Sequence, residues 1–256
     1  MIDTHCHLDV PAFDGDRDEV LARAARAGVV AVVVPAIRPS TWARLVPLAR
    51  AATPRVALAF GAHPQVVPEL TDDEWRALSD GRLAAALAGA VAVGECGLDR
   101  ATGDHPAQER ALRVQIDVAR ELGLPLLVHV LGAHDVAPRL LRDAGAAAVG
   151  GILHSYSGPA ELVPAYRDLG FAFSFAGPVT YANARKPVAA ARAVPADLLL
   201  AETDAPDQAP VPHRGGRSEP AFIVEIVAGL AAARGEDPTA VAAATAANAR
   251  RVLALV

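Results

Sequence analysis

Eight short apolar runs separated by amphipathic helical stretches predict an α/β fold, a (β/α)8 TIM barrel occupying residues 1–256 as one domain. Three observations carry this. The chain has 256 residues, a typical size for one such barrel and enough for a large core. Its apolar runs are rich in Val, Leu and Ile with few alternating charges, as strands buried on both faces are. No Ser/Gly/Pro-rich linker, internal repeat or low-complexity tract divides it.

In order, strands are expected at 1–7, 29–36, 55–63, 90–97, 124–130, 151–155, 171–175 and 198–203. Helices are expected between them, among others at 16–27, 71–88, 107–122 and 220–234. Thr71 followed by Asp72, Asp73 and Glu74 reads as an N-cap with an acidic first turn, and Gly123 as a C-cap. The stretch 205–219 is expected to be a long loop after strand eight, and the helices of 238–256 to pack outside the barrel.

With 52% hydrophobic and 21% charged residues, the composition is ordinary for a soluble globular protein. The net charge of −5 argues against coating nucleic acid by bulk electrostatics, while leaving room for a local phosphate pocket. No basic segment followed by an apolar one opens the sequence. The longest uncharged apolar runs, 27–37 and 83–94, are too short to span a bilayer. The two cysteines, Cys6 and Cys96, sit beside ligand candidates, where a disulfide would compete with the site. A reduced, cytoplasmic setting without a membrane partner is therefore expected, with a monomer favoured.

His5-Cys6-His7 opens the chemistry. Alternate residues of a strand share a face, so both imidazoles can meet one ion while Cys6 packs into the wall. Alone the pair means little. Glu95, His129, His154 and Asp204, however, each close a separate expected strand, and in a barrel those ends converge on one mouth. Buried imidazoles and carboxylates are costly unless paired or metal-bound. The mixed nitrogen and oxygen set suits Zn2+, Mn2+ or, less comfortably, Mg2+. Six ligands are too many for one ion that keeps an open position, so two divalent ions bridged by Glu95 are expected. The only lysine, Lys186, lies in an expected helix, which disfavours a carboxylated-lysine bridge.

These residues resemble the TatD family of metal-dependent hydrolases along nearly the whole chain. The matching motifs are Asp3-Thr4-His5-Cys6-His7-Leu8-Asp9, Gly61-Ala62-His63-Pro64, Val93-Gly94-Glu95-Cys96-Gly97-Leu98-Asp99, Leu153-His154-Ser155-Tyr156-Ser157-Gly158 and Glu202-Thr203-Asp204-Ala205-Pro206. The resemblance implies a two-metal phosphodiesterase, often a DNase or 3′–5′ exonuclease, with the six ligands named above. Two features depart from the family pattern. Arg100 stands where many members have tyrosine, and Leu131 where an arginine is common two residues after the fifth-strand histidine. The run 129–135, Asp207 and the segment 11–16 resemble the YjjV-like branch.

The expected reaction is hydrolysis of a phosphodiester, in DNA or a small molecule, by a hydroxide bridging the metals. Asp204 would orient it and take its proton, beside Glu95 as bridge. His63 would contact the phosphate or protonate a leaving group, with Arg214 in the cationic loop 213–217 as helper. One rival is a lactone, ester or cyclic amide substrate on the same ions, favoured by the acidic charge and Leu131. The other is a binding protein without catalysis.

Overall fold

The computed structural model describes residues 1–51 and 53–255. Strands and helices alternate from the start: β1 Ile2–Asp3, α1 Arg17–Arg26, β2 Ala31–Pro35, α2 Trp42–Leu45 and β3 Arg55–Phe60. Two short helices, α3 Asp72–Ala77 and α4 Arg82–Ala86, precede β4 Ala92–Asp99. Then come α5 His105–Leu122, β5 Leu126–Leu131, α6 Ala137–Asp143, β6 Gly151–Leu153, α7 Val163–Arg167 and β7 Phe171–Phe175. The remaining elements are α8 Arg185–Ala193, β8 Leu199–Ala201, α9 Ile223–Arg234 and α10 Pro238–Leu253.

The strands form one parallel sheet in the order β1 to β8, the TIM-barrel arrangement. Its seam, between β8 and β1, is held outside the regular ladder. Thr4 N–H donates to Ala201 O (3.3 Å), Asp204 N–H to His5 O (2.9 Å) and His7 N–H to Ala205 O (2.8 Å), and Cys6 bridges Ala205 in parallel. The buried Asp3 carboxylate reinforces this seam by accepting from Thr203 N–H (2.9 Å), the Thr203 hydroxyl (2.5 Å) and His5 N–H (3.3 Å).

Alternation along the strands divides the apolar residues into two layers. Val32, Leu58, Val93, Val128 and Phe173 pack outward under the helices. Ile2, Ala31, Val33, Ala59, Leu127, Ile152, Ala172 and Leu200 fill the barrel interior, where small and large side chains together satisfy close packing. Ala246, Ala249 and Leu253 of α10 join that inner cluster, and Asn248 donates to Ala196 O and Leu199 O at the start of β8. The last helix, expected only to pack outside the barrel, therefore closes the end opposite the strand C-termini. Val256, the last residue of the expected helical stretch, lies outside the described residues.

The expected helix 71–88 is two helices. Thr71 and Glu74 form a reciprocal capping box, but the first helix stops after Ala77, and Gly81 takes a left-handed φ of +92°. The Asp80 carboxylate then accepts Arg82 N–H (3.1 Å) and restarts the chain. Several strands are shorter than expected at their C-terminal ends, because residues 4–7, 61–63 and 202–203 leave the ladder to build the mouth. No helix among the described residues is long and apolar enough to cross a membrane.

The loop after β8 is clamped onto α1 by ion pairs. Arg23 donates twice to Glu219 (2.7 and 2.9 Å), and Arg217 donates to both oxygens of Asp16 (2.8 and 2.6 Å) and to Glu219 (2.9 Å). Bidentate pairs of this kind fix geometry as well as charge. Hydrogen bonding to Arg217 holds the Asp16 carboxyl at about 2. A depressed folded pKa gives stabilisation that is complete above the unfolded value of about 4 and is lost as the pH falls through about 2. The Tm difference between the wild type and Asp16→Asn is thus expected to stay constant above about pH 5 and to shrink steadily below about pH 4. A difference independent of pH in thermal scans would remove the clamp as its source.

Candidate metal centre

All six expected ligands meet at the C-terminal mouth. His5 and His7 follow β1, Glu95 lies within β4, His129 within β5, and His154 and Asp204 follow β6 and β8. Glycine makes the β4 approach possible. A Cβ at Gly97 would run into the His129 carbonyl, and one at Gly94 (φ +146°) into that of Leu127. Without side chains there, β5 packs close enough to bring His129 against Glu95.

Glu95 is 1% exposed and stands at the middle of the cluster. Its Oε2 lies 3.1 Å from His5 Nε2 and 3.5 Å from His7 Nε2. Its Oε1 lies 3.1 Å from His129 Nδ1, 3.0 Å from His154 Nε2 and 3.0 Å from His63 Nε2. Asp204 Oδ1 faces the first group, 3.7 Å from His5 Nε2 and 3.9 Å from His7 Nε2. A cavity of about 330 Å³ opens onto these residues and is also lined by Gln65, Val10, Ile37 and Pro206.

The charge states follow from this crowding. Burial alone would raise Glu95, but His63, His154 and His5 outweigh it and hold the carboxyl well below its usual range. Burial pushes the neighbouring Asp204 the other way, upward, against the pull of His154 and His5. Burial, then the His5 ring, lowers His7 to about 3. Burial also lowers His63.

The donor set fits divalent cations. His5 Nε2 and His7 Nε2 stand 3.2 Å apart, both directed at a buried Glu95 Oε2 that has no hydrogen-bond partner. Imidazole nitrogens converging on an unsatisfied carboxylate oxygen are stable together when a cation joins them. His5 with His7 and Glu95, His63 with Glu95 and His129, and His5 with His154 and Glu202 each place donor atoms within 4.8 Å of one another. The second of these groups is narrowed by a tautomer. Gln65 N–H donates to His63 Nδ1 (3.1 Å), so the proton of a neutral His63 sits on Nε2, facing the cavity. His63 is thereby set up to donate a hydrogen bond, not to ligate an ion.

Behind the ligands lie residues that strand-end reasoning does not single out. Glu202, fully buried, accepts from His154 Nδ1 (3.2 Å), Ser155 N–H (2.5 Å) and the Thr4 hydroxyl (3.4 Å). This puts the His154 proton on Nδ1 and leaves the Nε2 lone pair toward Glu95. Asp99 accepts from Gln65 Nε2 (2.7 Å) and lies 3.6 Å from His129 Nε2, beyond hydrogen-bond length but close enough to attract a protonated ring. Gln208 donates its side-chain amide to Asp204 Oδ2. One signal was available for Glu202: it lies two residues before Asp204 in an otherwise apolar strand end. Glu202→Gln should lower metal affinity by about ten- to a hundredfold with little loss of fold. Metal titration of the variant checks this, and unchanged affinity would mean that His154 is oriented by something else.

The other candidates have definite places. Arg214 is exposed, stands 4.3 Å over the Tyr181 ring, and does not line the metal cavity. Arg100 pairs with Asp135 (2.8 Å), and Leu131 at the end of β5 is 43% exposed. His134 shares a hydrogen bond with the Tyr166 hydroxyl (2.9 Å), and burial lowers it to about 4. Cys6 packs in the wall and, like Cys96, is a free thiol.

A parallel barrel with histidine and glutamate clusters able to bind metal at its catalytic mouth defines the class of metal-dependent TIM-barrel hydrolases. Residues 2–254 match the family model described as TatD related DNase. The metal-dependent hydrolase YabD of Bacillus subtilis is 33% identical over 254 residues, covering 98% of each chain. The 3′–5′ ssDNA/RNA exonuclease TatD of Salmonella typhimurium is 34% identical over 269 residues, covering 100% of each. The crystal structure of YjjV from Escherichia coli aligns with a TM-score of 0.90 at 31% identity, covering 100% of this chain and 98% of that one. The chain belongs to the TatD family of metal-dependent hydrolases.

Proposed function

We propose that this protein hydrolyses phosphodiester bonds, acting on DNA as a 3′–5′ exonuclease-like deoxyribonuclease, with two divalent ions that share Glu95. The observation that carries the two-ion reading is the division of the Glu95 carboxylate, Oε2 toward His5 and His7 and Oε1 toward His129 and His154. In this reading His5, His7 and Asp204 would hold one ion, and His129 and His154 the other. The ions, when bound, would lower the pKa of the attacking water and polarise the phosphoryl oxygen.

The chain's own groups do the rest. Asp204, with Oδ1 toward the ligands and Oδ2 held by Gln208, orients the water and takes up its proton. His63, with its proton held on Nε2, donates to the phosphoryl or leaving oxygen as charge develops there. Arg214, outside the cavity on Tyr181, would meet a more distant phosphate of a longer substrate. The relative named as a ssDNA/RNA exonuclease supports a nucleic-acid substrate. Exposed Leu131, with Val10 and Ile37 in the cavity, favours a second reading in which the substrate is a small lactone or ester.

The deciding experiment assays metal-loaded and chelated protein on 3′- and 5′-labelled single-stranded DNA, bis(p-nitrophenyl) phosphate and a lactone panel. Metal-dependent release of nucleotides from the 3′ end is expected. Turnover of lactones alone would establish the second reading, and no turnover of any substrate would leave a binding protein.

A further inference from the structure

Beside the metal cavity the mouth carries a second hollow of about 220 Å³. Its walls are apolar and broad, formed by Tyr156, Phe175, Ala176, Pro178 and Pro187, and it is also lined by exposed Lys186, the chain's only lysine. The walls are held in place before any ligand arrives. The Tyr156 hydroxyl donates to Pro159 O (2.9 Å), and its ring packs edge-on against Phe173 and Tyr166, with centroids 5.0 and 6.0 Å away.

The two cavities share walls with a third. Between them lies a hollow of about 230 Å³ bordered on one side by His129, His154 and Asp204 and on the other by Ser155, Ser157 and Gln208, which also line the apolar cavity. The Ser155 hydroxyl donates to Gln208 Oε1 (2.9 Å), and Gln208 in turn donates to Asp204. The same short network thus borders the candidate catalytic carboxylate and the entrance to the second cavity.

We propose that the second cavity binds a flat ring, aryl or nucleobase, carried on one arm of an ester whose phosphorus sits at the metal centre, and that Lys186 pairs with an anionic group beyond that ring. This rests on the phosphoester reading above and names its substrate class. Size, surface and charge agree on the occupant. An apolar cavity of about 150 Å³ is enough to hold benzene, so this one admits a single ring with room to spare. Proline and aromatic walls suit a π-face, and the exposed ammonium of Lys186 in the lining suits an anion.

Non-hydrolysable phosphonates test it by isothermal titration into metal-loaded protein. Phenylphosphonate should bind about tenfold more tightly than methylphosphonate, since only the former can bury a ring. Ser157→Trp, at an exposed position in the connecting hollow, should abolish that advantage. Ala176→Leu, which fills the cavity from inside, should do the same, so misfolding of one variant still leaves the other. Lys186→Gln should remove any extra affinity of 4-carboxyphenylphosphonate over phenylphosphonate. Equal binding of phenyl- and methylphosphonate to the wild type, or a ring advantage that survives both blocking variants, overturns the subsite alone. If neither phosphonate binds, the phosphoester reading falls and the subsite falls with it.

Discussion

Glu95→Gln is expected to reduce turnover at least about a thousandfold and to lower bound metal well below the wild-type content. The amide has nearly the shape of the carboxylate, so the barrel should fold. What changes is charge. In the wild type one buried anion faces imidazoles through both oxygens, and those imidazoles hold it ionised. An amide offers a single weak oxygen donor, and its NH2 would point a hydrogen at one of the two groups. Elemental analysis beside steady-state kinetics separates the outcomes. Wild-type turnover in the variant would remove Glu95 from the site and end the shared-carboxylate scheme.

The second large effect is expected for Asp204→Asn, with the opposite signature in metal content. Asparagine keeps an oxygen where Asp204 Oδ1 faces His5 and His7, while the position from which a proton is accepted is lost. Turnover should fall by about a hundred- to ten-thousandfold while bound metal stays close to that of the wild type. The pair of variants is more informative than either alone, because Glu95→Gln should lose ions and Asp204→Asn should not. Parallel loss of metal in both would trace the fall in turnover to missing ions and remove the support for proton transfer by Asp204.

The histidines were legible because a barrel sends every strand end to one mouth, so a polar residue closing an apolar run announces itself. That logic placed His5, His7, Glu95, His129, His154 and Asp204 in one cluster from strand order alone. It could not find Glu202 or Asp99, whose value lies in the atom of another side chain that they touch, across 48 and 30 residues of sequence. His63 was read as a phosphate contact, but the reason it presents a hydrogen, a backbone amide two residues on, is a matter of loop geometry. The basic loop 213–217 looked like one cationic patch. In space Arg217 is committed to Asp16 and Glu219, and Arg214 stands on Tyr181. The helices of 238–256 were expected outside the barrel, but nothing in their sequence says that Ala246, Ala249 and Leu253 of α10 would cover the barrel floor.

The seam between β8 and β1 gives the molecule a built-in test of its own completeness. Asp3, His5 and His7 meet Thr203, Asp204 and Ala205 across about two hundred residues of sequence, through a few hydrogen bonds in place of a full ladder. A growing polypeptide therefore carries two imidazoles of the site for most of its synthesis without Asp204, the carboxylate that faces them across the seam. Only when the eighth strand arrives does the first strand, already paired with the second, gain its other neighbour, and the same contacts that shut the cylinder bring Asp204 to His5 and His7. A ligand that favours the shut form stabilises it by mass action, so ion uptake and ring closure reinforce each other. Hydrogen exchange at the amides of His7 and Asp204 would slow together on loading, reporting one event seen from the two ends of the chain.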